Sequence, residues 1–86
     1  MEQDRVVYVF RKNAEEEIRL SLRTYRERLY FGIRLWFQPS NGGEYRPTRK
    51  GITLGLEHLS EFKKGLDRVQ RLASELTLQE SSNPVK

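Results

Sequence analysis

The sequence predicts an α+β fold in which an antiparallel sheet of three to four strands is backed by one C-terminal amphipathic helix. Two observations support this fold class. Apolar and polar residues alternate from residue 18 to residue 35, which is typical of strands with one buried face. From Leu59 to Leu76 the apolar residues recur at steps of three and four, which is typical of a helix with one apolar stripe.

The alternating region predicts a hairpin of two strands. In the first strand Ile18, Leu20 and Leu22 share one face. Residues 25–28 join it to a second strand. The apolar face of that second strand contains Leu29, Phe31, Ile33 and Leu35. The residues between them lie on the opposite face of the hairpin.

The remaining strands are predicted from turn residues and composition. The segment QPSNGG at residues 38–43 has the proline, asparagine and glycines that turns need, so the chain is expected to return through residues 44–50 as a third strand. Pro47 cannot donate a ladder hydrogen bond, so this strand is expected to be irregular or at an edge. Residues 6–10 have strand composition, and form either an edge strand or an arm that pairs with a second subunit.

Composition limits the classes of site that the chain can build. At 86 residues with 36% hydrophobic content, the core is thin, and a second subunit would thicken it. The sequence has no cysteine, which excludes disulfides, thiolate zinc sites and thiol catalysis. His58 is the single histidine, without a nucleophile motif, a phosphate loop or a second metal ligand near it in sequence. We therefore expect no catalytic residues, no metal, no cofactor and no small-molecule substrate.

The positive charge is concentrated in one part of the chain. The net charge is +4, but the segment from residue 19 to residue 51 holds eight cationic residues against two glutamates, a net charge of +6. Seven of the eight are arginines, whose planar guanidinium pairs with phosphate bidentately and stacks on rings. This pattern favours a nucleic-acid partner.

Cations and aromatic rings are interleaved on the second face of the predicted hairpin. They are Arg19, Arg23 and Tyr25 in the first strand and Tyr30, Arg34 and Trp36 in the second. Single-stranded nucleic acid is bound by this combination, because cations follow the phosphates while rings stack on unpaired bases. Composition alone leaves open a second interpretation, in which this face is simply solvated.

The segment RPTRKGITL at residues 46–54, its spacing to Arg34 and the helix segment EHLSEFK carry a family resemblance. Residues 20–63 resemble the C-terminal DNA-binding domain of the transcriptional coactivator positive cofactor four. The resemblance implies a curved four-stranded antiparallel sheet backed by a C-terminal helix. It also implies a homodimer whose concave surfaces hold antiparallel single strands or locally melted duplex.

The resemblance also implies a set of contact residues. The family's stacking rings fall on Tyr25 and Phe37, with Trp36 beside Phe37 as an alternative stacking residue, since adjacent strand residues face opposite ways. The implied cationic contacts are Arg26, Arg28, Arg34, Arg46, Arg49 and Lys50. Pro47 and Gly51 complete the set.

These inferences predict a homodimeric, largely sequence-independent binder of single-stranded DNA that acts in transcription, replication or repair. Two alternatives are an RNA-binding protein that uses the same surface and a protein-interaction module. We expect residues 1–15 to form the arm or edge strand, residues 16–76 the nucleic-acid-binding domain and residues 77–86 a disordered tail. The sequence shows no apolar run of membrane-spanning length, so we expect a cytoplasmic or nucleoid-associated protein, nuclear if eukaryotic, with no membrane partner.

Overall fold

A computed structural model describes residues 3–79. Its elements are β1 (Gln3–Arg11), β2 (Glu16–Tyr25), β3 (Arg28–Phe37), β4 (Arg46–Gly55), a short 3₁₀ turn (Leu56–His58) and α1 (Leu59–Gln79). The four strands form one antiparallel sheet in the order β1-β2-β3-β4, so β1 and β4 are its edges. The predicted α+β class, with one sheet and one C-terminal helix, is confirmed.

The register of the central hairpin separates the two faces of the sheet. Leu20 pairs with Ile33, while Arg19 pairs with Arg34. Because residues directly opposite each other point to the same side, the predicted apolar residues share one face, which we call the apolar face. The other face, called the arginine face below, carries Arg19, Arg23, Tyr25, Arg28, Tyr30, Arg34 and Trp36.

The turn between β2 and β3 has an unusual backbone. Its two central residues, Arg26 and Glu27, have φ angles of 50° and 63°. Positive φ at both positions is what a type I′ hairpin turn requires, and it matches the right-handed twist of the flanking strands. Glycine and asparagine normally occupy such positions, so this turn stores backbone strain of about 1–2 kcal/mol per residue.

β1 is an edge strand that pairs with β2 of the same chain. Asp4 lies opposite Arg23, and the register shifts by one residue between Val6 and Tyr8. The connection to β2 is held by Asn13, whose Oδ1 accepts hydrogen bonds from the backbone N–H groups of Glu15 and Glu16, at 2.9 Å each. This compact turn fixes the position of β1 at the sheet edge.

β4 is the opposite edge strand and is irregular, as the proline predicted. Arg34 pairs with Gly51 and Trp36 with Pro47, so residues 48–50 of β4 face a single residue of β3. The extra length is anchored by Thr48, whose Oγ1 donates to the Leu35 carbonyl oxygen at 2.8 Å. The bulged segment therefore has a defined position beside the arginine face.

The helix contacts the sheet only through its N-terminal part. Its first turn contacts the sheet through Phe62, whose ring centroid lies 5.7 Å from that of Phe31. Within residues 4–77, only Phe31 and Leu35 are buried hydrophobic residues. The stripe beyond Phe62 is exposed and consists of Leu66, Val69, Leu72 and Leu76. The distal half of α1 therefore extends beyond this thin core.

The ends of the described region differ slightly from expectation. α1 continues to Gln79, three residues past Leu76, where the apolar pattern fades. Residues 77–79 are therefore helical rather than part of a disordered tail, and the rest of that predicted tail lies outside the described residues. Between Gln3 and Gln79, no helix combines the length and apolar character needed to cross a membrane.

Candidate nucleic-acid interface

The centre of the arginine face is a stack of a cation on aromatic rings. The guanidinium carbon of Arg19 lies 4.0 Å from the centroid of the Trp36 ring and 5.7 Å from that of Tyr45. Arg19 Nε donates to Glu17 Oε2 at 2.6 Å, which holds the guanidinium in this position. Tyr45 belongs to the β3–β4 connection, and its hydroxyl lies 3.5 Å from Arg11 Nη2. Two arginines and two rings therefore form one contiguous patch.

Arg34 links the arginine face to the bulge of β4. Its Nη1 donates to the Thr48 carbonyl oxygen at 2.8 Å, and its side chain is half-buried. A guanidinium has five N–H donors, so this bond leaves others free for a phosphate or a base. Arg34 thus positions the edge strand and also adds positive charge to the surface.

Gly51 is required at its position by close packing against β3. A Cβ atom there would lie 2.8 Å from the Ile33 carbonyl oxygen and 3.1 Å from the Arg34 Cα and Cβ atoms. A side chain at Gly51 would therefore push β4 away from β3. The glycine of the RPTRKG segment keeps β4 close to Arg34, so its place in the predicted site is structural.

A second cluster lies at the turn end of the arginine face. The guanidinium carbon of Arg26 lies 5.4 Å from the centroid of the Tyr25 ring. Arg28 pairs with Tyr25 across the hairpin, and its Nη2 lies 3.7 Å from Glu57 Oε2. Ion pairs between exposed side chains contribute about 0–1 kcal/mol, so Arg28 can exchange this carboxylate for a phosphate at little cost. Tyr25 thus has one cation over its ring and a second arginine opposite it in the register.

Trp36 and Phe37 lie on opposite faces of the sheet. β3 pairs with β2 without interruption from Arg28 to Phe37, so no bulge in that ladder changes the alternation of its side chains. Trp36 belongs to the arginine face, while Phe37 is on the apolar face opposite Arg46. Phe37 is exposed, with 37% of its surface accessible. Of the two rings, Trp36 is the one that lies among the cations of the arginine face.

The predicted site residues fall into three groups. Tyr25, Arg28, Arg34, Trp36, Pro47 and Gly51 belong to the arginine face by register. Phe37 and Arg46 form a small patch on the apolar face. Arg26 lies in the strained turn, while Arg49 and Lys50 are exposed in the bulged part of the β4 edge. Six of the eleven predicted contact residues therefore lie together on the arginine face.

Two residues that contribute to the arginine face, Arg19 and Tyr45, were not among the predicted contacts. Arg19 was expected on this face from the alternation, but its contact with Trp36 depends on the register between β2 and β3. Tyr45 lies in a connection without periodicity, so no signal in the sequence placed it over Arg19. Both enlarge the surface towards β1.

Comparison with known proteins connects this fold to a family. The model of the family described as Transcriptional Coactivator p15 (PC4) matches residues 12–65, which is more than half of the chain. None of the curated proteins compared with the chain matches it. The matched segment contains β2, β3 and β4 in full and the first turns of α1.

Solved structures give the same relationship. A PC4 homologue from Burkholderia pseudomallei K96243, in its orthorhombic crystal form, is 34% identical, with a TM-score of 0.70 and coverage of 78% of this chain and 89% of that chain. Its tetragonal form is 32% identical, with a TM-score of 0.71 and coverage of 79% and 98%.

A phage protein is a more distant relative. It is the bacteriophage T5 homologue of the eukaryotic transcription coactivator PC4, implicated in recombination-dependent DNA replication. It is 25% identical, with a TM-score of 0.52 and coverage of 94% of this chain and 88% of that chain. The resemblance expected from residues 46–54 is confirmed, and the chain belongs to the transcriptional coactivator p15 (PC4) family.

Proposed function

We propose that the protein binds single-stranded DNA on the arginine face, largely independently of sequence, and that it does so as a homodimer without catalysing a reaction. The observation that carries this proposal is the arrangement of Trp36, Arg19 and Arg34 on one face of the sheet. Membership in the PC4 family supports a nucleic-acid partner. A role in transcription, replication or repair is consistent with such binding.

The chemistry of this face favours unpaired strands. Aromatic rings stack on the exposed π-faces of bases, at about 1–3 kcal/mol per base, and a paired duplex hides those faces. From Arg28 to Trp36 the face extends ~27 Å along β3, at about 3.4 Å per strand residue. Rings near both ends, Tyr25 and Trp36, therefore engage bases several nucleotides apart, while the arginines between them neutralise phosphates.

We propose that a second copy of the chain covers the apolar surfaces that one copy leaves open. The exposed stripe of α1 includes Leu66, Val69 and Leu72, with accessible fractions of 55%, 64% and 55%. On the apolar face of the sheet, Leu29 and Ile52 are also exposed. A monomer rarely leaves this much contiguous apolar surface in water. Pairing of two copies through α1 and the apolar faces leaves both arginine faces free.

The dimer is tested by changing one residue of the helix stripe. Leu72→Glu places a charge in the proposed interface and is expected to yield monomer or unfolded chain in sedimentation equilibrium. Ser74→Glu adds the same charge two positions further along the helix, on a different side, and is expected to leave the dimer intact. A dimer that survives Leu72→Glu unchanged would exclude this surface as the interface.

The binding function is tested by fluorescence anisotropy with a labelled oligo-dT. We expect saturable binding that weakens with salt, with a log-log slope of about −0.7 for each neutralised phosphate. Unlabelled matched duplex is expected to compete poorly. Equal affinity for duplex and single strand, or binding that does not respond to salt, would contradict the proposal. An RNA oligonucleotide of equal length that competes better than DNA would assign the same surface to RNA.

A further inference from the structure

A concavity opens in the middle of the arginine face, with a volume of about 220 Å³. Its floor is a row of small residues that cross three strands in register: Ser21 lies opposite Gly32, and Gly32 opposite Thr53. The next rows on either side carry long side chains, among them Arg19 and Arg34 on one side. The pit exists because Gly32 has no side chain between those rows.

The walls of this pit are rich in hydrogen-bond donors. Arg19, Arg34 and Trp36 line one side, and Arg23 lines the other. Asp4 of β1 also lines the pit, and its Oδ1 lies 3.4 Å from Arg23 Nε. Both partners of this pair are exposed, with side-chain accessibilities of 63% for Asp4 and 48% for Arg23. The carboxylate and the guanidinium are thus available to a ligand that enters the pit.

We propose that this pit receives one base of the bound strand and that it prefers guanine; this inference rests on the single-strand binding proposed above. Guanine presents two adjacent acceptors, O6 and N7, which an arginine fork contacts bidentately. Its N1–H and N2 amino group form a pair of donors that a carboxylate accepts. No other DNA base offers paired acceptors to a guanidinium together with paired donors to a carboxylate. Arg23 or Arg34 with Asp4 supplies both complements.

Such a pit adds a local preference to binding that is otherwise independent of sequence. The stacking rings and phosphate contacts lie outside the pit floor, so any base sequence binds. A guanine at the register of the pit gains one bidentate contact in a partly exposed site. We therefore expect it to bind about fivefold more tightly, at the lower end of what such a contact supplies.

The pit can be filled without disturbing the sheet. A Cβ atom at Gly32 would lie 3.3 Å from Ser21 Oγ and 3.7 Å from both the Ile52 carbonyl oxygen and Thr53 Oγ1. The closest of these atoms is a hydroxyl that can rotate away. Gly32→Ala is therefore expected to fold while raising the floor. Ser74→Ala is the control, because that exposed residue lies in α1 on a different side from the apolar stripe.

The test compares oligo-dT molecules that carry a single central guanine, adenine, cytosine or thymine, so that guanine-rich self-association does not occur. Wild-type protein is expected to prefer the guanine oligomer about fivefold over the other three. Replacing that base by 7-deazaguanine removes N7, and replacing it by hypoxanthine removes the N2 amino group. Each replacement is expected to lose most of the preference.

Protein variants locate the preference in the pit. Gly32→Ala is expected to remove it while retaining affinity for oligo-dT, and Ser74→Ala to leave it unchanged. Asp4→Asn, an exposed substitution that cannot disturb the core, is expected to abolish the distinction between guanine and hypoxanthine without weakening oligo-dT binding.

The outcomes separate this inference from the proposed function. Binding of oligo-dT with no preference for guanine would overturn the assignment of the pit and leave single-strand binding intact. A guanine preference that persists in both Gly32→Ala and Asp4→Asn would also overturn it, because the contact would lie elsewhere. Failure to bind any single strand would overturn the proposed function, and the pit assignment with it.

Discussion

The guanidinium of Arg19 covers the ring of Trp36, with its central carbon 4.0 Å from the ring centroid. This geometry is a cation–π contact, which contributes about 0.5–1 kcal/mol at an exposed site and more when desolvated. Glu17 holds Arg19 in this position through the 2.6 Å bond to Nε. In the proposed complex, a base that stacks on Trp36 meets a ring already paired with a cation, and Arg19 contacts the adjoining phosphate.

Removal of the Arg19 side chain is expected to weaken binding to oligo-dT by about 1 kcal/mol, roughly fivefold. The salt slope is expected to become shallower by about 0.7, because one phosphate loses its cation. Both quantities come from anisotropy titrations of Arg19→Ala at several salt concentrations. Lys63→Ala removes the same charge from α1 and is expected to leave both unchanged. Equal effects of the two substitutions would mean that only net charge matters.

The two adjacent rings, Trp36 and Phe37, are expected to differ in their dependence on oligonucleotide length. Trp36→Ala removes a stacking ring from the arginine face and is expected to cost about 1–3 kcal/mol for any bound strand. Phe37 is on the apolar face beside Arg46, so a strand bound on the arginine face reaches it only by turning around the sheet. Phe37→Ala is therefore expected to weaken a long oligonucleotide but not one of about six nucleotides.

The comparison requires both variants with both lengths, together with circular dichroism to show that each variant is folded. Loss of short-strand affinity in Phe37→Ala equal to that in Trp36→Ala would place both rings on one binding path. It would also show that the apolar face at the end of β3 takes part directly.

The strained hairpin turn predicts a stabilising substitution. Glu27 has a φ of 63°, a conformation that glycine adopts without the steric cost of a Cβ atom. Glu27→Gly is expected to raise the free energy of unfolding by about 1 kcal/mol while keeping Arg26 over Tyr25. Glu27→Gln retains the strain and removes the charge, so it serves as the control. Urea unfolding that shows no gain for Glu27→Gly relative to Glu27→Gln would contradict this account of the turn.

Gly51 is expected to tolerate alanine poorly. Gly51→Ala places a methyl group 2.8 Å from the Ile33 carbonyl oxygen, and it is expected to destabilise the fold by about 1–3 kcal/mol. Thermal unfolding of the variant measures this effect, and stabilisation by Gly51→Ala would contradict the close approach of β3 and β4.

The central hairpin could be predicted residue by residue from the sequence. In β2 and β3 one face contacts apolar groups and the other faces solvent, so a period of two in the side chains determines which residues share a face. This is why Arg19, Arg34 and Trp36 were expected together and lie together. β1 gave no such signal, because Val6, Val7 and Tyr8 are all exposed and a register shift interrupts their alternation.

The position of α1 could not be predicted in the same way. Periodicity identifies the apolar side of a helix, but it does not identify the surface that covers that side. Phe62 contacts Phe31 of β3, while Leu66 and Leu72 of the same stripe are exposed. The contact of Tyr45 with Arg19 could not be predicted from the sequence either, because it depends on the path of a connection that has no repeating pattern.

The most direct test of single-strand binding on the arginine face uses Trp36, the one tryptophan of the sequence, as a fluorescent reporter. The emission of the wild-type protein is measured while unlabelled oligo-dT, or a matched duplex of equal length, is added. Stacking of a base on Trp36 predicts a saturable change in emission with the single strand, which is reversed by added salt and absent with the duplex. An identical response to the duplex, or no response to the single strand, would contradict the account.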